Sequence, residues 1–257
     1  MLRNVNRRGA DFIHVSLRET SQYCQTLPRN GGRFNDPALQ GWVLPTGRRN
    51  CYAPARTLGR FHLKAISFTD CTWLNRPDTC SVDSTGLHVV TNARTDFWRK
   101  THYGFERDNG HFLGAAVSGD LTAVIRFRAR YDHLYDQAGL MIRLDEKTWV
   151  KAGIEFTDGE AMLSTVVTDG HSDWSVGKLE GDARDVRLRV TLARGALRVQ
   201  ASADGIRWPL FRLAPFALRG GYRIGPMCCS PERGGFACHF SDFTIGPATT
   251  KDLHDLS

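Results

Sequence analysis

No stretch of this chain approaches the ~18–20 consecutive apolar residues of a membrane-spanning helix. Met1–Arg18 carries charges but lacks the apolar middle of a secretory signal. These two lacks set a location in the reducing cytoplasm, away from membranes, as the expectation. A P-loop, a nucleophile elbow and a GxGxxG turn are missing as well. Gly220-Gly221, Gly225 and Gly234-Gly235 read as turn glycines, so no common nucleotide or acyl-transfer chemistry is indicated. The seven cysteines (Cys24, Cys51, Cys71, Cys80, Cys228, Cys229, Cys238) are odd in number and have no framework spacing. Cys228-Cys229…Cys238-His239 lacks the CxxC hairpin that aims two sulfurs at one ion, and His102, Glu106, Asp108 and His111 match no ligand geometry. Structural thiols are therefore expected, with neither a metal nor a cofactor. No amphipathic helix longer than two turns is visible.

Lysine is absent from the first 60 of the 257 residues, where ten arginines face only Asp11, Glu19 and Asp36. That segment accounts for the whole formal charge of +7, and beyond it basic and acidic residues balance. The basicity is therefore no argument for nucleic-acid binding by the rest of the chain. Residues 1–60 are also rich in Pro, Gly and Asn and show no sustained period, so an irregular leader is expected. Two readings of it stay open: a basic tail for an anionic partner, or upstream GC-rich sequence ahead of a later start near Leu63. The expected boundaries are 1–60 for the leader, 61–247 for one domain and 248–257 for a C-terminal tail.

What is present from about Leu63 is alternation. Leu121, Ala123, Ile125, Phe127 and Ala129 alternate with Thr122, Val124, Arg126, Arg128 and Arg130. Val186, Leu188, Val190 and Leu192 alternate with Arg187, Arg189 and Thr191. Further strands are expected near 86–91, 111–117, 136–144, 149–157, 161–168, 197–201, 222–228 and 236–245, with Asp204-Gly205 turning into Ile206–Phe211. Many strands, each with one apolar face, predict a β-sandwich whose two sheets share one core.

Two strands carry an unusual second face. Val150, Ala152, Ile154 and Phe156 form one side of the second strand, and Trp149, Lys151, Gly153 and Glu155 the other. The preceding strand sets Gln137, Gly139, Met141 and Arg143 against Ala138, Leu140, Ile142 and Leu144. If both apolar sets face the core, Gln137, Arg143, Trp149, Lys151 and Glu155 share an outer face suited to binding. At a rise of about 3.4 Å per residue, Lys151 and Glu155 lie roughly 13 Å apart along the backbone and are not expected to pair. The mid-strand glycines read as a gap where a ligand or a neighbouring chain approaches. Trp98, in Thr95-Asp-Phe-Trp-Arg-Lys-Thr-His-Tyr-Gly104, and Trp174, in Ser172-Asp-Trp-Ser175, are further aromatic candidates beside hydrogen-bonding groups, as sugars require. For glycoside chemistry Glu155 would need a second carboxylate, from Asp136 or Asp173.

Those blocks, together with Gly110-His-Phe-Leu113, Trp73-Leu-Asn75 and Ser202-Ala-Asp-Gly-Ile-Arg-Trp208, occur in order over roughly 63–247. They are similar to the regulation-of-enolase-protein-like family, a domain of unknown function known from bacteria and fungi. The resemblance implies an all-β, concanavalin A-like jelly roll of two antiparallel sheets. It would put Gln137, Arg143, Trp149, Lys151 and Glu155 on the concave sheet, where lectins and glycosidases of this architecture hold sugars. It also implies a link to carbohydrate metabolism, since the family's fungal member is linked to it through the enzyme enolase. The functional expectation is a non-catalytic protein that binds a carbohydrate or sugar-like metabolite. The alternatives are a glycoside-active enzyme, and an interaction module acting on a metabolic enzyme. Fold analogy alone warrants no activity.

Overall fold

A computed structural model describes residues 62–257, so the expectations for 1–60 lie outside the described residues. The expected jelly-roll sandwich is what the chain forms. One antiparallel sheet runs in the order β15 (Leu210–Pro215), β14 (Ala196–Ser202), β13 (Asp185–Ala193), β8 (Leu121–Ala129), β17 (Ala237–Gly246), β4 (Gly86–Val90) and β3 (Thr79–Asp83), with β1 (Lys64–Ala65) also pairing β17. The other runs β12 (His171–Gly177), β11 (Glu160–Asp169), β10 (Thr148–Thr157), β9 (Gln137–Arg143), β16 (Gly221–Cys229), β7 (His111–Ser118) and β2 (Thr72–Leu74). A short hairpin, β5 (Phe97–Arg99) and β6 (Glu106–Asp108), stands apart from both. The helical content among the described residues is one 3-10 turn, Phe68–Asp70, and no helix there is long and apolar enough to cross a membrane.

The alternation explains the layers. Ala123, Ile125 and Phe127 of β8 and Leu188, Val190 and Leu192 of β13 meet Leu140 and Ile142 of β9 and Val150, Ala152 and Ile154 of β10 in one core. Each fully buried aliphatic side chain contributes roughly 1.5–3 kcal/mol, which is why the inward set tolerates no charge. Cys228 and Cys238 are buried in this core, Cys229 lies on the other side of β16 with Met227, and the five described cysteines are free thiols.

The strand expected at Ile206–Phe211 starts later, at Leu210. Asp204 Oδ1 accepts from the backbone N–H of Ile206 (2.7 Å) and Arg207 (2.9 Å), and Trp208 N donates to Leu256 O (2.9 Å). The turn therefore continues into a braced loop before pairing resumes. The C-terminal segment packs on the eight-stranded sheet. Thr249 N donates to Thr122 Oγ1 (2.9 Å), and the Arg198 guanidinium donates to the carbonyls of Lys251, Asp252 and Leu253.

Candidate functional site

The face opposite the core on β9 and β10 is not open exterior. The β5–β6 hairpin lies over it and creates a second apolar cluster of Phe97, Trp98, Phe112, Met141, Trp149, Val166, Met227 and Cys229. This corrects the reading of Trp149 as a stacking platform: its ring is 0% exposed and packs against Phe97 at 6.0 Å between centroids. Arg143 is corrected as well. Its guanidinium makes a bidentate bond to Asp108 (2.7 Å to each oxygen), which clamps the hairpin to β9. Arg99 N donates to Ser172 Oγ (2.9 Å), fixing the hairpin to β12.

Gly139 and Gly153 sit opposite each other in the β9–β10 register. A Cβ on Gly139 would stand 2.6 Å from Gly153 Cα, and one on Gly153 would stand 2.7 Å from Gly139 Cα. The close approach that requires glycine here is that of the paired strand, rather than of a ligand. Gly153 does border a small void beside Lys151 and Glu155.

Beyond the end of the clamped hairpin is a cavity of about 190 Å³. Gln137, Lys151 and Glu155 form its floor with Asp96, and Trp98, Tyr103, Phe105, Tyr135 and Trp174 form its walls. Arg94, Arg107 and Glu232 also line it. Asp136 and Asp173 do not. Asp136 is 0% exposed, accepts from Ser230 Oγ (2.6 Å) and pairs with Arg233. Asp173 is on the opposite side of β12 from Trp174 and accepts from Arg212 of β15 (2.6 Å). Neither joins Glu155: Asp136 precedes β9 and is held by Ser230 and Arg233, and period-two alternation sends Asp173 to the other face of β12 from Trp174.

The floor is held by directional bonds. Lys151 Nζ donates to Asp96 Oδ1 at 2.8 Å, with 5% and 14% of the two side chains exposed. Burial works against the ammonium, but Asp96, the Cys229 thiol and Glu155 outweigh it and hold its pKa above the ordinary lysine value. Glu155 Oε2 accepts from Ser164 Oγ (2.6 Å), and Trp174 Nε1 donates to the same Oγ (3.1 Å). An indole N–H can only donate, so Ser164 must pass its own proton toward Glu155. Burial raises the Glu155 pKa, and Lys151 and Ser164 offset only part of that rise. Gln137 Nε2 is anchored to Tyr135 O (3.2 Å). The Tyr135 hydroxyl is within 3.5 Å of that of Tyr103, and this bond with burial pushes its pKa up to about 12.

The walls are a connected aromatic set. Trp98 meets Trp174 edge-on at 6.5 Å and Tyr103 at 5.7 Å, and Tyr103 stacks on Phe105 at 5.5 Å. Tyr103 and Phe105 remain 48% and 40% exposed, an unusual state for ring faces beside a cavity. Around it, Arg94, Lys100, His102 and Tyr135 all adopt positive φ (59–62°). Non-glycine residues pay roughly 1–3 kcal/mol for such backbone, which is tolerated where a site needs its loops set in one shape.

Sequence reasoning missed Asp96, Tyr103, Phe105, Tyr135 and Ser164. Asp96 and Tyr103 lie inside the Thr95–Gly104 block already singled out. Ser164 was accessible through register, since it pairs with Gly153 between Lys151 and Glu155. The paper metal set disperses: His111 Nδ1 bonds Asn75 O (2.6 Å), Glu106 pairs with Arg99, and Asp108 with Arg143.

The family model described as "Protein of unknown function (DUF1349)" matches residues 73–248. "Regulation of enolase protein 1" of Saccharomyces cerevisiae is 50% identical over 194 residues, which is 76% of this chain and 98% of that protein. The crystal structure of a functionally unknown protein from Saccharomyces cerevisiae superposes with a TM-score of 0.70 at 48% identity, covering 72% of this chain and 100% of that one. A GH43 protein, BlXynB, from Bacillus licheniformis superposes at 0.53 with 13% identity over 70% of this chain and 37% of its own, a likeness of fold alone. The chain belongs to the regulation-of-enolase-protein-like family of DUF1349 proteins, whose function is unknown.

Proposed function

We propose that this protein binds a small carbohydrate or sugar-like metabolite, without turning it over, in the pocket beneath the hairpin tip. One observation carries the reading: five aromatic side chains line a cavity whose floor is buried Gln137, Lys151 and Glu155 with half-buried Asp96. Aromatic faces match the C–H faces of a sugar ring, and the floor offers acceptors and donors to its hydroxyls. At about 190 Å³ the cavity is smaller than the ~300–1,000 Å³ of typical drug-sized sites, so it suits one ring rather than an extended oligosaccharide. Glycoside catalysis would need two available carboxyl groups. Asp96 is occupied by Lys151, Asp136 and Asp173 face elsewhere, and the remaining acid of the lining, Glu232, is exposed at the mouth rather than buried beside Glu155. The free thiols fit a reducing cytoplasm.

A second reading rests on the relative's name, Regulation of enolase protein 1. Under it, the exposed aromatic rim of Tyr103 and Phe105 docks on a metabolic enzyme, with or without a ligand in the pocket. Calorimetric titration of the full chain with a monosaccharide panel separates the two. Saturable binding that drops at least tenfold in Tyr103→Ala supports the pocket. Absence of heat with every sugar, alongside retention of an enzyme partner on purification, supports docking instead.

A further inference from the structure

The floor of the pocket holds three charged groups, and their arrangement is unequal. Lys151 and Asp96 form a closed pair at 2.8 Å. Glu155 has no salt-bridged cation among the described residues: Lys151 acts on it only at longer range, and its hydrogen-bond donor is the Ser164 hydroxyl, at Oε2. Ser164 is itself held by the Trp174 indole, which also lowers the cost of a charge on Glu155, and Glu155 lines the cavity with no salt-bridged cation. When ionised, Glu155 leaves the floor one negative charge in excess, on a residue that is 6% exposed. The aromatic side chains of Trp98, Tyr103, Phe105, Tyr135 and Trp174 line the same cavity. Ring faces surrounding a carboxylate are the arrangement that attracts a cation, by quadrupole and by charge together. Arg107 lies over the Phe105 ring at 5.3 Å and Tyr103 stacks on it at 5.5 Å, so Trp98, Tyr103, Tyr135 and Trp174 are the rings left for a ligand cation. Arg94 and Arg107 at the mouth are exposed, share it with Glu232, and are screened by solvent.

We propose that the ligand of this pocket bears an ammonium group seated on the Glu155 carboxylate between the aromatic walls, as in an amino sugar. The inference rests on the small-ligand reading of the pocket and narrows its chemistry. A neutral sugar would leave the buried carboxylate with hydroxyl partners alone, whereas an ammonium both neutralises it and faces the rings.

The test is calorimetric titration of the full chain with glucosamine, N-acetylglucosamine, glucose and choline at about pH 6.5, where an amine stays protonated. The expected result is that glucosamine binds at least about tenfold more tightly than glucose or N-acetylglucosamine. In Glu155→Gln, which keeps an oxygen to accept from Ser164, the preference should shrink to about twofold or less. Should that variant not fold, the wild-type comparison decides alone. Glucose binding as tightly as glucosamine overturns the ammonium site while leaving the sugar pocket intact. Choline binding without any of the three sugars keeps the ammonium site and removes the carbohydrate reading. No binding by any of the four overturns both.

Discussion

Glu155 concentrates the physical tension of the site. Burial raises its pKa above the usual carboxylate value of 4.5, so the folded state holds this proton more strongly than the unfolded chain does. Its contribution to stability is therefore complete below pH 4.5 and is lost as pH rises through the higher folded value. Glu155→Gln should accordingly melt at a higher temperature than the wild type at pH 7–8, and the gap should close below pH 4.5. A variant less stable at neutral pH would contradict the assignment. Trp149 makes the opposite case: an aromatic that sequence placed on a binding face and the fold buries completely. Trp149→Ala should cost about 3–5 kcal/mol in denaturant unfolding. A ligand-stacking role would instead cost affinity with little loss of stability.

At the scale of elements, the β5–β6 hairpin decides what the site is. Without it, the outer face of β9 and β10 would be a solvated strip with Lys151 and Glu155 exposed. With it, Phe97 covers Trp149, Asp96 neutralises Lys151, and the loop after β5 brings Tyr103 over the floor. Arg143 is one of its clamps, and Asp108 is 39% exposed on its side chain, so the pair is worth roughly 1 kcal/mol. Arg143→Ala should thus leave global unfolding nearly unchanged. Amide exchange across residues 97–108 should accelerate, while the amides of β8 and β13 stay protected. Equal acceleration in all these elements would show that the hairpin and sandwich open as one unit. The hairpin was hard to see in the sequence because three-residue strands are too short for a period of two to register. Phe97 and Trp98 lie next to each other rather than alternating, and both are buried. The long strands were legible for the converse reason. In β8, β10 and β13 the apolar face must meet a core without gaps, so burial imposes the pattern directly. The face assignments of Lys151 and Glu155 followed from that, whereas their coverage depended on a contact made across 55 residues of sequence between Lys151 and Asp96.

For the molecule as a whole, the sandwich supplies the floor of the pocket and short elements supply its walls. The long strands fix Gln137, Lys151, Glu155, Ser164 and Trp174 in register, and residues 94–105 with 135 close the pocket around them. The eight-stranded sheet plays a different part, since its outer face is braced by the C-terminal segment over Arg198 and Thr122. The candidate pocket thus lies on one face of the sandwich and the C-terminal brace on the other. The most direct test is amide exchange of the full chain, with and without each member of the monosaccharide panel at saturating concentration. The expected result is added protection, with at least one sugar, confined to residues 94–108, 133–137 and 230–232. Unchanged exchange with every sugar, or protection centred on the eight-stranded sheet, would contradict a sugar site at the hairpin.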